Sequence, residues 1–413
     1  MNDRIPVTII SGSLGAGKTT LLNHLLSNAD RRIAVLINDM GDVNVDASLI
    51  ESGSDLAREG IAELSNGCIC CELQDDLETE VRRLAGRYDF DHLVVESSGI
   101  SEPAPVARLF TAGAAAARYT VDALVTVVDA RLLDDTVAGR SLERETDPDE
   151  TDRPLSDLLV EQIEVSNVVL LNKCDLIEEG TADRLEAVIA GLQPDAEVIR
   201  TEYSDVEIDR LLGREAFDPA ELGELPGWKR ALAEVHDHEH GDHDDHEHGD
   251  HDEHGHEHGD HCHVHRTPES VYGVSSVTYH RRQPLDPEGF AEVLRGLPSS
   301  IVRAKGPVWI AGRDDLLVQL SIAGRSIHAE GEGQWIVTLP PGQRSLYRDN
   351  HPEIPWDETH GDRRTDLVLI GTDFDADAIV DALDACLVDP DEAADPDDEL
   401  FPRAVGERTV LRE

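Results

Sequence analysis

A glycine-rich segment near the N-terminus has the residue types of a phosphate-binding loop. Gly12-Ser-Leu-Gly-Ala-Gly-Lys-Thr19 follows an apolar run and opens a helical pattern. Its glycines let backbone N–H groups turn inward around phosphates at a helix N-terminus. Lys18 is predicted to contact the β- and γ-phosphates, and the Thr19 hydroxyl to bind Mg²⁺. The alternative is a glycine-rich turn without a ligand. The residues assigned to nucleotide binding here are Gly12, Gly15, Ala16, Gly17, Lys18, Thr19 and Thr20.

A second motif, Asn172-Lys173-Cys174-Asp175, indicates which base the nucleotide carries. A carboxylate such as Asp175 accepts hydrogen bonds from both N1–H and the exocyclic amine of guanine, a donor pair that adenine lacks on that edge. The tetrapeptide ends an apolar strand pattern about 150 residues after the phosphate loop. Asn172, Lys173 and Asp175 therefore predict GTP rather than ATP, against the alternative of a chance surface tetrapeptide.

An acidic residue at the end of a third apolar run is the candidate partner of Mg²⁺. Glu96 ends that run and Gly99 follows it. P-loop proteins hold the metal ion with such a strand-terminal acid, and a glycine N–H nearby can sense the γ-phosphate. A solvated acid at a strand end is the alternative. No glutamine stands just after Gly99 to position water, so we expect slow hydrolysis that serves as a switch. The predicted catalytic residues are Lys18, Thr19, Glu96 and Gly99.

Three cysteines within four residues, Cys68, Cys70 and Cys71, predict a metal site. Three thiolates supply most of a tetrahedral Zn²⁺ site, at about 2.3 Å per Zn–S bond, with a carboxylate or histidine as fourth ligand. Soft sulfur also suits Cu(I). Buried small side chains and a redox pair are the alternatives.

A histidine-rich run over residues 236–265 predicts a second, weaker kind of metal binding. It holds thirteen of the nineteen histidines, interleaved with Asp, Glu and Gly, and has no hydrophobic periodicity. Neutral imidazoles beside carboxylates bind Zn, Ni, Co or Cu weakly. A solvated linker without metal is the alternative. The ligands assigned in this run are His254, His256, His258, His261, Cys262 and His263.

Short apolar runs alternate with helical patterns through the first half of the chain. This alternation predicts an α/β fold: a P-loop NTPase domain whose mostly parallel sheet is flanked by helices. Beyond the histidine-rich run, shorter strand-like runs and helices predict a smaller α+β domain. The predicted boundaries are 1–215 for the nucleotide-binding domain, 216–268 for the linker, 269–390 for the second domain and 391–413 for an acidic tail.

The net charge of −50 excludes nucleic acid as a direct partner, because phosphate binding requires a basic surface. Only four lysines occur among 36 basic residues, which is typical of proteins from a salt-saturated cytoplasm. No apolar stretch reaches the ~20 residues that span a bilayer, and no signal peptide is evident. A cytoplasmic, halophilic protein without membrane contact is therefore expected.

Taken in order, GSLGAGKTT, SNGCICCEL, VVESSGISEPAPV and LLNKCDL resemble the CobW-like GTPases, a P-loop family of metal chaperones and cofactor-assembly factors. RRTDLVLIGTDFDADAIVDALDACL resembles the end of that family's C-terminal domain. The resemblance implies that Cys68, Cys70 and Cys71 bind Zn²⁺ or a related ion inside the GTPase domain and that metal loading is coupled to the nucleotide state. Where the family reads Asn-Glu-aromatic-Gly-Glu, this chain has Asn38-Asp-Met-Gly-Asp42, with acids one methylene shorter. Asp39 and Asp42 stand at the family's acidic positions, and Asp42 is the assigned metal ligand.

The sequence as a whole predicts a GTP-dependent metallochaperone or insertase. It would use GTP, Mg²⁺ and Zn²⁺, with Co, Ni or Cu left open, and deliver metal to a client metalloprotein. One alternative is a metal buffer that acts through the histidine-rich run, and another is cobalt insertion in corrinoid synthesis. Homo-oligomerisation stays open.

Overall fold

A computed structural model describes most of both predicted domains. The described residues are 4–38, 61–64, 81, 84, 88–97, 99, 103–112, 114–140, 154–218, 226, 229, 273–351, 354–390 and 399–412. They form two units, each built on its own sheet.

The first unit contains a seven-stranded sheet in which every pair of neighbours is parallel. Its strands are β1 (Ile5–Ser11), β2 (Ile33–Asn38), β3 (Ile61–Leu64), β4 (His92–Glu96), β5 (Tyr119–Asp129), β6 (Val168–Asn172) and β7 (Glu197–Arg200). The spatial order is β3-β2-β4-β1-β5-β6-β7. The predicted fold class is thus confirmed, and six of these strands coincide with the apolar runs of the sequence.

Helices cover this parallel sheet. They are α1 (Lys18–Asn28), α2 (Pro103–Ala112), α3 (Ala130–Val137), α4 (Leu155–Glu164) and α5 (Glu179–Leu192). Side chains of β1 alternate between two separate cores: Val7 and Ile9 belong to one and Ile10 to the other. Because each fully buried aliphatic side chain contributes about 1.5–3 kcal/mol, strands that are apolar on both faces are held firmly between the helices.

The second unit contains a six-stranded antiparallel sheet with order β13-β11-β10-β9-β12-β8. Its strands are β8 (Val274–Arg281), β9 (Ile301–Val308), β10 (Leu316–Ala323), β11 (Ser326–Gln334), β12 (Thr365–Thr372) and β13 (Arg408–Arg412). Its helices are α6 (Pro287–Gly296), α7 (Pro341–Asn350) and α8 (Ala376–Asp384). The predicted α+β character is confirmed.

Two predicted boundaries need correction. The segment 391–413 is not a tail throughout, because β13 pairs with β11 and Phe401 is buried against Phe290, with ring centroids 5.6 Å apart. Phe401 and Leu411 of this segment belong to the second core, despite the acidic residues before them. The first domain also extends past residue 215, since Phe217 is buried in one of its cores.

Candidate nucleotide site at the carboxyl edge of the parallel sheet

The carboxyl ends of the seven parallel strands lie along one edge of the sheet, and the sequence motifs follow those ends. β1 leads into the phosphate loop, β4 ends at Glu96 and β6 ends at Asn172. Binding sites of open parallel sheets form at this edge, because the loops there converge on a crevice. The fold therefore brings together three motifs that are up to 160 residues apart in sequence.

The phosphate loop has a backbone that only glycine adopts easily. Gly12, Gly15 and Gly17 have φ angles of +140°, +75° and +117°. A Cβ on Gly12 would lie 2.2 Å from the Val127 carbonyl oxygen, and one on Gly17 would lie 2.4 Å from Asn172 Nδ2. The loop is consequently fixed between β5 and the Asn172–Asp175 segment, here called the base motif, with no room for a side chain at either glycine.

The loop ends at the N-terminus of α1, which offers an anion unoccupied backbone donors. Gly17 is its N-cap residue, no side chain caps it, and no acidic residue lies in its first turn. Lys18 is 7% exposed, and its Nζ donates to the carbonyl oxygens of Gly12, at 2.8 Å, and Ser13, at 3.2 Å. Thr19 is half-buried and Thr20 is exposed in the same turn. Positive helix-end charge and the Lys18 ammonium suit the loop to an anion such as phosphate, by electrostatics as well as by shape.

Glu96 and Gly99 lie against the phosphate loop. Glu96 is 3% exposed and stands in register with Ile10 of β1, two residues before Gly12. A Cβ on Gly99 would be 2.9 Å from Leu14 N and 3.4 Å from Lys18 Nζ. The structure thus brings the four predicted catalytic residues to one place.

Asn172 joins the base motif to the phosphate loop. Its Nδ2 donates to the Ala16 carbonyl oxygen at 2.8 Å and to Ser204 Oγ at 3.1 Å. Its Oδ1 accepts from Ser204 N at 2.9 Å and from Thr201 Oγ1 at 3.1 Å. Since Asn172 is only 2% exposed, these bonds replace all contact with water and fix three segments relative to one another.

Lys173 and Asp175 continue the base motif. Lys173 has a left-handed backbone, with φ 63°, and its Nζ forms an ion pair with Asp129 Oδ2 at 2.5 Å. Asp129 Oδ1 in turn accepts from the backbone N–H groups of Arg131 and Leu132 at 2.9 and 3.2 Å. Asp175 is exposed on a short 3₁₀ turn. Burial raises the pKa of the intervening Cys174 thiol, so this cysteine stays protonated at neutral pH.

Sequence reasoning missed the residues that support this motif from neighbouring strands. Asp129 ends β5, and Thr201 and Ser204 follow β7. Ser204 Oγ also donates to the Gly17 carbonyl oxygen at 3.1 Å, so it closes the link to the phosphate loop. Polar residues at strand ends next to a recognised motif are the signal that would have found them.

The predicted metal ligands lie outside the described residues. This holds for Cys68, Cys70, Cys71, Asp39 and Asp42 and for the ligands of the histidine-rich run, His254, His256, His258, His261, Cys262 and His263. Within the part of the chain that the structure describes, no three His, Cys, Asp or Glu side chains are grouped to hold a metal ion. No helix of that part has the length and apolar character to cross a bilayer.

Comparison with known proteins matches both units to one family. The sequence profile of the CobW/HypB/UreG nucleotide-binding domain matches residues 6–200, and that of the cobalamin synthesis protein cobW C-terminal domain matches residues 274–387. Zinc-regulated GTPase metalloprotein activator 1 of Dictyostelium discoideum is 35% identical, over 94% of this chain and 80% of that protein. Zinc chaperone CobW of Pseudomonas aeruginosa is 36% identical, over 52% of this chain and 60% of that protein. The crystal structure of Zn(II)-bound YjiA GTPase from E. coli, 20% identical, aligns over 94% of this chain and 100% of that one with a TM-score of 0.40.

Proposed function

The chain belongs to the CobW family of P-loop GTPases, and from that membership we propose that it couples GTP binding and slow hydrolysis to zinc delivery. Zinc is the cargo, and a client metalloprotein receives it. Related proteins named zinc-regulated GTPase metalloprotein activator and zinc chaperone support zinc over cobalt, nickel or copper.

The observation that carries this proposal is the order of strands at the carboxyl edge, β3-β2-β4-β1. Cys68 follows the end of β3 by four residues, and Asp39 and Asp42 follow the end of β2 by one and four residues. Strands about 4.8 Å apart put the ends of β3 and β1 roughly 14 Å from each other. Four residues of chain reach about as far, so thiolates after β3 are within reach of a γ-phosphate in the loop after β1.

In the proposed mechanism each described residue has a separate role. Lys18 exchanges the loop carbonyls it now binds for the β- and γ-phosphates, while Asn172 holds the loop and the base motif together. The exposed Asp175 carboxylate accepts from guanine. Thr19 and Glu96 would hold Mg²⁺, since oxygen ligands suit this ion; Mg²⁺ would neutralise charge that develops on the phosphates. Loss of the γ-phosphate contact at Gly99 then reports hydrolysis to the segment after β4.

The test is the response of GTP hydrolysis to zinc. Substoichiometric Zn²⁺ should change the hydrolysis rate of the full chain, and the variant C68S/C70S/C71S should lose that response while keeping its GTP affinity. Cys386→Ala, in the core of the second unit, is the matched control and should respond as the parent does. A rate that zinc leaves unchanged in the parent would overturn the proposal.

A metal buffer is the second candidate, favoured by the thirteen histidines within residues 236–265. In that case deletion of residues 236–265 removes most of the metal tolerance of cells, and Lys18→Ala, which disables the phosphate site, leaves tolerance intact. The metallochaperone proposal expects the reverse ranking, because tolerance through delivery needs the nucleotide.

The acidic, lysine-poor composition further supports a halophilic, cytoplasmic setting. GTP binding and folding should then require molar salt, where a Debye length of about 3 Å screens the self-repulsion of the chain. Circular dichroism and GTP titration across a salt series test this point. Full stability in dilute buffer would remove it.

A further inference from the structure

Helix α7 of the second unit, Pro341–Asn350, lies on the surface without a buried side chain. It exposes 63% of Leu346 and 44% of Tyr347. Helices in proteins take most of their stability from packing an apolar face, and isolated helices shorter than about 12–15 residues are marginal in water. A ten-residue helix with uncovered apolar side chains therefore has a surface that a partner can cover.

A cavity of about 620 Å³ opens beside this helix. Its walls include Ile336, Arg344, Ser345, Arg348, His351 and Trp356. Arg348 stacks over the Trp356 ring, with its guanidinium carbon 4.1 Å from the ring centroid. The volume is typical of ligand-binding pockets, and an aromatic wall beside cations is the composition of a site for an anion with an apolar body.

The charge of this cavity is opposite to that of the chain as a whole. Arg344 and Arg348 stand one helical turn apart, an arrangement of like charges that costs a few tenths of a kcal/mol in a helix. Among the described residues no carboxylate forms an ion pair with either guanidinium, although Asp349 also lines the cavity. Arg344 Nη1 donates to the Val337 carbonyl oxygen at 3.4 Å. In a chain with 86 acidic residues, two arginines in one cavity that pair with no carboxylate of the described residues leave donors for an external carboxylate.

We propose that this cavity and the exposed face of α7 bind a short acidic peptide segment of a partner protein. Its carboxylates pair with Arg344 and Arg348, whose planar donors suit bidentate pairing, and an apolar side chain of the peptide covers Leu346. Charge complementarity selects this occupant. A long polyanion such as nucleic acid needs many cationic contacts and is repelled by a net charge of −50, whereas a short segment meets only the cavity. The site goes beyond the proposed function, because it requires neither nucleotide nor metal.

The experiment measures peptide binding by fluorescence anisotropy with the full chain, in the absence of GTP and zinc. The probe is a labelled eight-residue peptide in which glutamate alternates with leucine. Its glutamine counterpart is expected to bind at least tenfold more weakly. The double variant R344Q/R348Q should weaken binding of the glutamate peptide by at least tenfold. R108Q/R118Q removes the same charge from exposed positions in the first unit and should change binding less than twofold.

A second variant changes the charge of the cavity without removing either arginine. Ser345→Glu adds a carboxylate at an exposed position in the cavity wall and should weaken peptide binding several-fold. Unchanged fluorescence of the buried Trp309 and Trp335 shows that the second unit of each variant is folded. Unchanged GTP affinity separates failure here from failure of the GTPase proposal. Equal binding of the glutamine peptide, or no loss in R344Q/R348Q, overturns the proposal.

Three other occupants are outcomes of the same test. Tighter binding of a single-stranded DNA octamer than of the peptide would make the site one for nucleic acid. Displacement of the probe by a peptide of residues 389–399 at lower concentration would assign the cavity to the chain's own acidic segment. A dimer seen by sedimentation in the parent and lost in R344Q/R348Q would assign it to a second copy. Each of these results would contradict the proposal that the cavity binds an acidic segment of a partner protein.

Discussion

The two ends of the parallel sheet use buried polar groups in different ways. At the carboxyl edge, Asn172, Ser204 and Lys173 hold in place the loops of the proposed nucleotide site. At the amino end, Thr8, His92 and Asp122 contact one another inside the fold, and His92 Nδ1 is buried without a hydrogen-bond partner among the described residues. Thr8 Oγ1 lies 2.9 Å from His92 Nε2 and 3.4 Å from Asp122 Oδ2. The polar groups at the carboxyl edge position loops for a ligand, whereas those at the amino end connect strands inside the folded domain.

Asp122 connects the amino end of the sheet to the segment that follows β7. Register between β1 and β5 shifts at this position, since Val7 pairs with Val121 and Thr8 with Ala123, so Asp122 is the extra residue of a β-bulge. Its carboxylate accepts from the backbone N–H groups of Gly213 and Glu215, each at 2.6 Å. The bulge therefore anchors the segment that follows β7. Changes here should alter stability, whereas changes at the carboxyl edge should alter GTP affinity.

The largest expected effect is at the carboxyl edge. Gly17→Ala forces a side chain into a backbone with φ 117°, at 2.4 Å from Asn172 Nδ2 and 2.9 Å from Ser204 Oγ. We expect GTP affinity to fall about 1,000-fold, roughly 4 kcal/mol. Isothermal titration calorimetry measures the loss.

Gly180→Ala is the control for that substitution. Gly180 lies in α5, and a Cβ there meets nothing within 4 Å. Alanine in place of this helical glycine should leave GTP affinity unchanged and raise stability by up to about 1 kcal/mol. An unaffected affinity in Gly17→Ala would show that the loop is not held by Asn172 and Ser204.

The second prediction concerns acid stability at the amino end. Burial lowers the pKa of His92 from 6.5 to about 4, against a smaller opposing effect of Asp122. The unfolded chain therefore binds a proton that the folded chain does not between about pH 6.5 and pH 4. Stability should fall as the pH drops through this window, by up to about 3 kcal/mol from His92 alone. Above pH 6.5 both states are neutral at this position and the effect vanishes.

His92→Gln tests the assignment, because glutamine keeps a hydrogen-bond donor near Thr8 and does not titrate. The slope of unfolding free energy against pH between 6.5 and 4, from urea denaturation, should decrease in the variant. GTP affinity at pH 7 should stay that of the parent. A slope as steep as before would assign the acid sensitivity to other groups.

The sequence predicts the strands and the contiguous motifs of the first unit better than the contacts between them. Apolar runs predicted six of seven strands, because strands buried on both faces need continuous apolar residues. β3 was not predicted, because it has only four residues and one of them is Glu63. The phosphate loop and base motif were recognisable because their residues are contiguous. Asn172 bonds to Ala16 and Ser204, which are 156 and 32 residues away, and no local pattern reveals such partners.

The amino-end cluster and α7 were missed for related reasons. Asp122 interrupts an apolar run, and nothing in the local sequence indicates a β-bulge there. In the structure its carboxylate has three hydrogen-bond partners, Thr8, Gly213 and Glu215. α7 has no apolar periodicity to signal a helix, because its faces are not packed within the described unit. Tertiary contacts decided the conformation at Asp122, and they become visible only once the strand order is known.

The third prediction compares two asparagines at opposite ends of β6. Asn172→Ala leaves the Ala16 carbonyl and Ser204 N–H without their partner, so GTP affinity should fall about 30-fold, roughly 2 kcal/mol. Asn167, just before the strand, accepts from Leu124 N at 3.0 Å. Asn167→Ala should lower stability by about 1 kcal/mol and leave affinity unchanged. Titration calorimetry measures GTP affinity, and denaturation measures the free energy of unfolding, for both variants. Equal losses of affinity would contradict the different roles assigned to the two ends of the sheet.

The smallest expected effect belongs to the ion pair that supports the base motif. Asp129→Asn removes the negative charge that holds Lys173 in its left-handed conformation, and GTP affinity should fall about threefold to fivefold, close to 1 kcal/mol. Asp134→Asn removes a comparable partly exposed pair with Arg184, which joins α3 to α5, and should leave affinity unchanged. Fluorescent GTP-analogue titration at two salt concentrations resolves the difference. If Asp134→Asn weakened binding as much, the loss would reflect net charge; a loss confined to Asp129→Asn places the support of Lys173 among the contacts that shape the carboxyl edge.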